Sequence, residues 1–249
     1  MTLLLFALFI SSFAAADTPL EQAQQEYLLA EKESVEKQHS RFNQALALYM
    51  SEQPSNPSGK LLYNMANIHF YLKEFGLAIA LYRRAESLLP RNDRIQENLT
   101  IALEHANVQA KQIERPIADL FGFRWLSAFE RGLLLLGMTF AVFLFFSLHL
   151  WFPQAGFQLV WKSMLALTTI IFTSIVCYAL AIPPRAIILR TTALRTTPHK
   201  EAALTQTTVQ QGEMVELLST DHSKQWLEVR TPFGIAGYVS VHGVYFITP

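Results

Sequence analysis

Cysteine and charged residues are both scarce in this sequence, and each shortage excludes a class of protein. Among 249 residues there is one cysteine, Cys177, so neither an internal disulfide framework nor a cysteine-rich metal site is expected. Charged residues make up 16% of the chain and hydrophobic residues 51%, a composition that favours a partly membrane-embedded protein. Lys plus Arg equals Asp plus Glu at 20 each, so no basic excess favours nucleic acid as a partner.

Sequence motifs of catalysis are also missing. The chain has no phosphate-binding Walker loop, no G-x-S-x-G nucleophile elbow and no H-E-x-x-H zinc motif. Its seven histidines are scattered, with none four residues from another. We therefore expect a protein that is not an enzyme, with no catalytic residues, no metal and no cofactor.

Three apolar segments indicate export and membrane insertion. The N-terminal "LLLFALFI" is followed by small residues, with Ala14 and Ala16 in the arrangement that signal peptidase accepts, which predicts a signal peptide over 1–16. Two longer runs without Asp, Glu, Lys or Arg, 132–152 and 163–182, predict transmembrane helices joined by a connector at 153–162. Two crossings would leave the flanking domains on the same side of the membrane.

Two signals disagree about which side that is. The positive-inside tendency places both domains in the cytoplasm, because basic residues flank the outer ends of the two runs while Lys162 alone lies in the connector. These basic residues are Arg115, Arg124, Arg131, Arg185, Arg190, Arg195 and Lys200. A cleaved signal peptide places both domains in the periplasm. We give the signal peptide more weight and expect a two-pass protein of the bacterial inner membrane with periplasmic domains.

His149 is the only histidine in the two runs, which contain no Asp, Glu, Lys or Arg. It lies near a helix end, where a neutral imidazole reaches the interface, and this interpretation is favoured over a proton relay in a transporter subunit. Cys177 is expected to be a small membrane-buried side chain.

Residues 17–115 have apolar positions at helical spacing, interrupted by proline-rich stops at 52–59 and 89–93. They predict a helix or helix pair over 20–50, a hairpin over 60–89 and a helix over 93–111 that begins with Asp93 as its N-cap. Four residues have counterparts 33 positions earlier, which indicates an internal repeat whose upstream copy lacks a convincing first helix. The pairs are Phe42 and Phe75, Ala45 and Ala78, Tyr49 and Tyr82, and Pro57 and Pro90.

Residues 59–92 resemble the tetratricopeptide repeat. The residues that match its pattern are Leu62, Met65, Ala66, His69, Phe75, Ala78, Tyr82, Ala85 and Pro90. In that family the concave face of the first helix usually binds an extended peptide. The resemblance implies that this face consists of Lys60, Tyr63, Asn64, Asn67, Phe70 and Tyr71. The alternative, in which the same polar face packs against the N-terminal helix, is equally open, and His69 is expected to be a core residue.

Residues 183–249 change to Thr- and Val-rich runs with period-two alternation, which predicts a small all-β domain closed into a barrel. The order of Arg195, Trp226 and the Gly234–Gly237 turn resembles the bacterial SH3 domain. That resemblance implies a shallow groove for peptides or cell-wall stems, lined by Trp226 and Tyr238, although Trp226 could equally be core. Arg195 is expected to pair with a turn carboxylate such as Glu228 or Asp221.

The order of segments resembles the E-type proteins of the Bat aerotolerance operons: signal peptide, helical array, juxtamembrane segment 116–131, membrane pair and SH3-like barrel. This resemblance implies partners among membrane or periplasmic proteins, including von Willebrand A-domain proteins and a MoxR-type ATPase system. We expect a membrane-anchored, non-catalytic scaffold acting in envelope stress. The alternative is a cell-wall sensor that binds peptidoglycan through the SH3-like domain.

Overall fold

A computed structural model describes residues 19–51, 57–108, 126–181, 183–219 and 225–247. The predicted signal peptide, most of the predicted juxtamembrane segment and Asp221 lie outside the described residues. The same holds for the side chain of Cys177.

The N-terminal part of the described chain is an array of five helices. They are α1 (Pro19–Ala30), α2 (Val35–Ser51), α3 (Gly59–Tyr71), α4 (Phe75–Leu88) and α5 (Asp93–His105). Helices α1 and α2 form one hairpin, α3 and α4 form a second, and α5 packs against α4. Fully buried alanines allow the helices to approach closely, among them Ala45, Ala66 and Ala78, while Tyr49 and Tyr82 fill the spaces between.

Residues 20–50 form a helix pair, one of the two predicted alternatives, so the upstream hairpin has the first helix that the repeat comparison did not identify. Helix α1 buries Ala23, Tyr27 and Ala30 against α2. The fixed offset of 33 residues missed it because α2 extends further upstream than its counterpart: Phe42 is the eighth residue of α2, whereas Phe75 is the first residue of α4.

Two helix starts are set by side-chain caps. Ser58 accepts a hydrogen bond from the backbone N–H of Leu61 at 3.2 Å and so caps α3. Asn92, in an extended conformation, accepts from the N–H of Ile95 at 3.4 Å and caps α5. The prediction of Asp93 as the cap was therefore wrong by one residue, since Asp93 is the first residue of the helix. Helix α5 also ends at His105, before the predicted end at 111.

Two long apolar helices follow, α6 (Ala128–Trp151) and α7 (Ala155–Ala181). Both are long and apolar enough to cross a membrane, with mean hydropathies of 2.3 for Ala128–Trp151 and 1.7 for Ala155–Val176. A reciprocal capping box between Ser127 and Glu130 starts α6 four residues before the predicted start at 132. Most of the predicted connector is the first part of α7, because its residues after Gln154 contain no helix-breaking proline. The observed connection is Phe152, Pro153 and Gln154.

The C-terminal part is a seven-stranded antiparallel sheet with the order β3-β2-β6-β5-β4-β1-β7. Its strands are β1 (Arg185–Ile188), β2 (Thr192–Arg195), β3 (Leu204–Val209), β4 (Met214–Leu217), β5 (Trp226–Arg230), β6 (Ala236–Ser240) and β7 (Val244–Ile247). Strands β3 and β7 are the ends of this order, so the sheet is open and not the closed barrel that was predicted. One apolar cluster includes Leu194, Leu227 and Val229 from one face of the sheet.

Helix α4 packs against β1 and β7. Because of this contact β1 is buried on both faces. Ile188 belongs to the apolar cluster of the sheet, while Ile187 belongs to the core of the helical array. Tyr245 packs against the same helical core, and its hydroxyl accepts a hydrogen bond from Nη1 of Arg84 at 3.0 Å. The helical array thus covers the end of the sheet, which is a physical reason why the strands need not close into a barrel.

Candidate functional site

A cavity of about 250 Å³ lies between helices α1, α3, α4 and α5. Five aromatic rings line it: Tyr27, Tyr63, Phe70, Tyr71 and Tyr82. The other lining residues are Glu31, Asn67, Asn98 and Ile101. The cavity reaches solvent, because Tyr71 and Ile101 are 44% and 43% exposed and Glu31 is exposed as well.

Four of the six residues predicted for the concave face of the array line this cavity, namely Tyr63, Asn67, Phe70 and Tyr71. The other two do not line it. Nδ2 of Asn64 donates to Oε1 of Gln24 at 2.9 Å and to the hydroxyl of Tyr49 at 3.2 Å, so Asn64 ties α3 to the N-terminal hairpin. Lys60 is exposed, one residue after the start of α3.

A chain of hydrogen bonds fixes the base of the cavity. The hydroxyl of Tyr82 donates to Oδ1 of Asn67 at 2.6 Å. Nδ2 of Asn98 donates to the same oxygen and to the hydroxyl of Tyr63, each at 3.1 Å. These bonds join α3, α4 and α5, so the cavity wall is pre-organised by side chains that are themselves satisfied.

A second set of hydrogen bonds lies at the cavity mouth. Tyr27 donates to Oε1 of Glu31 at 2.7 Å, and Tyr71 donates to the same oxygen at 3.4 Å. The rings of Tyr71 and Phe42 stack with their centroids 4.9 Å apart, which holds Tyr71 in place. The carboxylate of Glu31 is thus positioned by two tyrosines from different helices.

Burial dominates the ionisation of the tyrosines around the cavity. It raises the pKa of Tyr82 well above the ordinary value of 10. Burial also raises the pKa of Tyr27 and of Tyr71, and in both cases the neighbouring negative charge of Glu31 raises it further. At neutral pH these hydroxyls are therefore protonated, and they act as neutral hydrogen-bonding groups.

On the sheet, Trp226 and Tyr238 lie on neighbouring strands β5 and β6. Both are half-buried, whereas Leu227 and Val239 next to them are buried, so Trp226 projects from the face opposite the apolar cluster. Arg195 does not form the expected ion pair with Glu228. Its Nη1 donates to the carbonyl of Ala202 at 2.9 Å, and its guanidinium lies 5.2 Å from the centre of the Trp226 ring.

The two histidines considered in the sequence analysis, His69 and His149, do not line the cavity. His69 is buried, with Nδ1 located 2.6 Å from Oε2 of Glu74 at the turn between α3 and α4. His149 lies in the last turn of α6. Within the described ranges, no three His, Cys, Asp or Glu side chains group together as a metal site would require.

The sequence analysis missed five cavity residues: Tyr27, Glu31, Tyr82, Asn98 and Ile101. Tyr82 was identified as part of the repeat pattern and not as a binding residue, although its hydroxyl donates to Asn67. Tyr27 and Glu31 belong to α1 and the turn after it, which the repeat search did not identify as the first hairpin. The spacing of Ala23, Tyr27 and Ala30 is the signal that would have indicated this buried helix face.

No protein-family model and no curated protein matches this chain. The class of protein is therefore defined by the fold and its site alone: a helical array with a tyrosine-lined cavity packs on a small β-sheet, and two apolar helices lie between them along the chain.

Proposed function

We propose that this protein is a membrane-anchored, non-catalytic scaffold that binds partner proteins through its helical array. The observation that supports the proposal best is the cavity between α1, α3, α4 and α5. Its rings and amides are held by hydrogen bonds within the array, and its mouth is open to solvent. A pre-organised recess of this kind suits the binding of an extended segment from another protein, since little side-chain ordering is left for binding to impose.

The tetratricopeptide resemblance is consistent with this proposal. Two antiparallel hairpins and a final helix stack in order, and the central hairpin places its first helix at the cavity. In our proposal α1 and α2 are the degenerate first repeat, α3 and α4 the second, and α5 the capping helix.

Helices α6 and α7 serve in this proposal as the membrane anchor. Both soluble parts lie on one side of the bilayer, a placement supported by the direct packing of α4 against β1 and β7. Arg91 also forms an ion pair with Glu130, which links the α4–α5 turn to the start of α6. The array would thus be held close to the membrane surface, in the periplasm if the N-terminal signal is processed. From the resemblance to the Bat operon proteins, we propose that its partners are von Willebrand A-domain proteins and a MoxR-type ATPase system in an envelope-stress complex.

Partner capture from the native membrane tests the scaffold proposal. We would fill the cavity mouth with Ile101→Trp and use Leu29→Trp as the control, since Leu29 is 45% exposed on α1 but does not line the cavity. After crosslinking in cells, the tagged wild type and the control should retain the same partner proteins, and Ile101→Trp should lose them. Equal partner sets for both variants would contradict the proposal.

The sheet supports a second candidate function, binding to peptidoglycan through an SH3-like groove. The supporting observation is that Trp226 and Tyr238 lie on neighbouring strands with partly exposed rings. Because Ile187 belongs to the helical core, the full-length protein in detergent is the right sample for cosedimentation with purified cell-wall sacculi. Trp226→Ala should abolish cosedimentation while Ile235→Ala, at an exposed site, should not. No cosedimentation of the wild type would refute this candidate.

A further inference from the structure

We propose that the cavity of the array holds the positively charged side chain of an arginine or lysine from an extended partner segment. This inference rests on the proposed peptide-binding function and specifies its chemistry. Four observations lead to it: the charge of the cavity, the direction of its hydrogen bonds, its aromatic walls and its size.

The cavity has one formal charge, and that charge is negative. Glu31 is the single ionised residue among the described residues that line it. The two nearby carboxylates share one cationic partner, since Arg41 pairs with Glu26 at 2.9 Å and with Glu33 at 3.2 Å. In the described chain Glu31 has no such cationic partner and receives hydrogen bonds from tyrosines only. A ligand with a positive charge would therefore be complementary to the site.

The hydrogen bonds within the cavity use most of its donors, apart from the amide hydrogens of Asn67 and the hydroxyl hydrogen of Tyr63. Tyr27 and Tyr71 donate their hydroxyl hydrogens to Glu31, and Tyr82 donates its hydrogen to Asn67. Each of these hydroxyl oxygens keeps lone pairs, and the carboxylate keeps a second oxygen. Ammonium and guanidinium groups bring donors and no acceptors, so they match what remains. A carboxylate or phosphate would be repelled by the negative charge of Glu31.

The walls suit a cation with an apolar stem. The faces of aromatic rings attract cations, most strongly where water is excluded. The ring centroids of Tyr63 and Tyr82 lie 6.0 Å apart at the base. Those of Phe70 and Tyr71 lie 6.2 Å apart nearer the mouth. The methylene stem of lysine or arginine packs against such rings while its charged end reaches a polar partner.

The size of the cavity favours a side chain over a free small molecule. Its volume of about 250 Å³ is below the roughly 300–1,000 Å³ typical of pockets for drug-sized ligands. The occupant we infer is therefore one side chain whose backbone stays outside, near the exposed parts of Tyr71 and Ile101.

A pair of matched tripeptides tests the inference on the full-length protein in a neutral detergent. The probes are acetyl-Gly-Arg-Gly-amide and its citrulline twin, which keeps the shape and loses the charge. Titration by NMR should show the arginine peptide binding at least about tenfold more tightly, as expected for a charge-assisted hydrogen bond to a carboxylate. Glu31→Gln, whose amide oxygen still accepts from both tyrosines, should remove that preference. The control Glu97→Gln, at an exposed carboxylate on α5, should keep it.

Charge changes at the rim give a second readout that does not involve Glu31. Ile101→Glu should strengthen binding of the arginine peptide, and Ile101→Lys should weaken it. Both substitutions alter one exposed position of α5, so a shared folding defect would move the two variants in the same direction. The citrulline peptide should respond little to either variant.

Three results would overturn the inference: equal affinity for arginine and citrulline, no binding of either peptide, or no effect of Glu31→Gln. Failure of the scaffold proposal is distinguishable from these. If Ile101→Trp loses its partners but the arginine preference is absent, the scaffold proposal stands and the chemistry assigned to its pocket is wrong. If the arginine preference is present but partner capture does not depend on the cavity, the chemistry assigned to the pocket stands and the scaffold proposal is wrong.

Discussion

At the scale of single residues, tyrosine hydroxyls connect the packing of the array to its cavity. Tyr82 and Tyr49 are almost completely buried, and each places its hydroxyl on a polar partner from another helix. The bond from Tyr82 to Asn67 is the shortest of the network at the base of the cavity. Loss of this hydroxyl would affect both the stability of the array and the orientation of the Asn67 amide.

We expect Tyr82→Phe to destabilise the protein by about 1–2 kcal/mol, because the ring still fills its site while one buried hydrogen bond is lost. The measurement is urea denaturation of the detergent-solubilised protein, followed by far-UV circular dichroism. Tyr238→Phe is the matched control, since its hydroxyl has no hydrogen-bond partner within the described ranges. If the two variants lose the same stability, the buried bond does not contribute as described.

The raised pKa values of the buried tyrosines predict how the array responds to alkaline pH. Burial raises the pKa values of Tyr27, Tyr49, Tyr71 and Tyr82 above 10 in the folded protein, whereas the unfolded chain ionises near 10. Their contribution to the free energy of unfolding is therefore fully present below pH 10, and it falls as the pH rises above 10.

Absorbance of tyrosinate at 295 nm, recorded together with circular dichroism, checks this expectation. The four tyrosines with raised pKa values should ionise only as the helical signal is lost. Ionisation of all tyrosines near pH 10 in a fully helical protein would contradict it.

Sequence reasoning predicted apolar contacts of the array better than polar ones. Ala66, Ala78 and Tyr82 match the tetratricopeptide pattern, and all three are buried. Asn64 and Asn67 are both asparagines, and both were predicted to lie on the same face of the helix. The structure separates their roles through partners that come from distant segments, Gln24 for one and Asn98 for the other. No local pattern reveals which distant segment an amide will meet.

At the scale of elements, the contact between α4 and the sheet depends on two glycines. A side chain at Gly76 would collide with the backbone carbonyl of Leu189, and one at Gly212 would collide with Cδ1 of Ile79. Gly212 also has a φ of +84°, a left-handed conformation that disfavours other residues. Helix α4 and the sheet domain therefore approach more closely at these two glycines than residues with a Cβ would permit.

Gly212→Ala and Gly234→Ala separate the cost of this contact from the cost of the backbone conformation. Gly234 has the same φ of +84° but nothing within 4 Å of an added Cβ. Gly234→Ala should cost about 1–2 kcal/mol for the left-handed conformation alone. Gly212→Ala should cost about 1–3 kcal/mol more, because it also overpacks the buried contact with Ile79.

Chemical denaturation of both variants, monitored by tryptophan fluorescence and circular dichroism, measures the difference. Equal losses of stability would show that α4 does not pack tightly against Gly212. A larger loss for Gly234→Ala would contradict the packing at that contact altogether.

The sequence analysis predicted the strands from their alternation, but it missed the partner of β1. The run Ala186, Ile187, Ile188, Leu189 has no alternation, which is typical of a strand covered on both faces. That signal was present in the sequence. It did not say what covers the second face, since a helix about 100 residues earlier had to be brought there by the fold.

At the scale of the whole molecule, the array and the sheet behave as one body and not as two modules on flexible linkers. Ile187 shares a core with the helices, and Arg84 donates to Tyr245 across the contact. A lipid bilayer cannot lie between groups in such contact. If α6 and α7 cross the membrane, they must therefore do so as a hairpin whose connection, Phe152 to Gln154, lies on the opposite side.

Cysteine labelling tests this topology in a Cys177→Ser background. Glu97→Cys on α5 and His242→Cys beside β7 lie at exposed sites of the two soluble parts, and Gln154→Cys lies in the connection. A membrane-impermeant maleimide applied to intact spheroplasts should label Glu97→Cys and His242→Cys if both parts are periplasmic, and Gln154→Cys only after the membrane is opened. Labelling of the connection alone would reverse the sidedness and favour the basic residues over the signal peptide. Labelling of Glu97→Cys and His242→Cys from opposite sides would contradict the hairpin itself, because the contact of α4 with β1 and β7 could not then form.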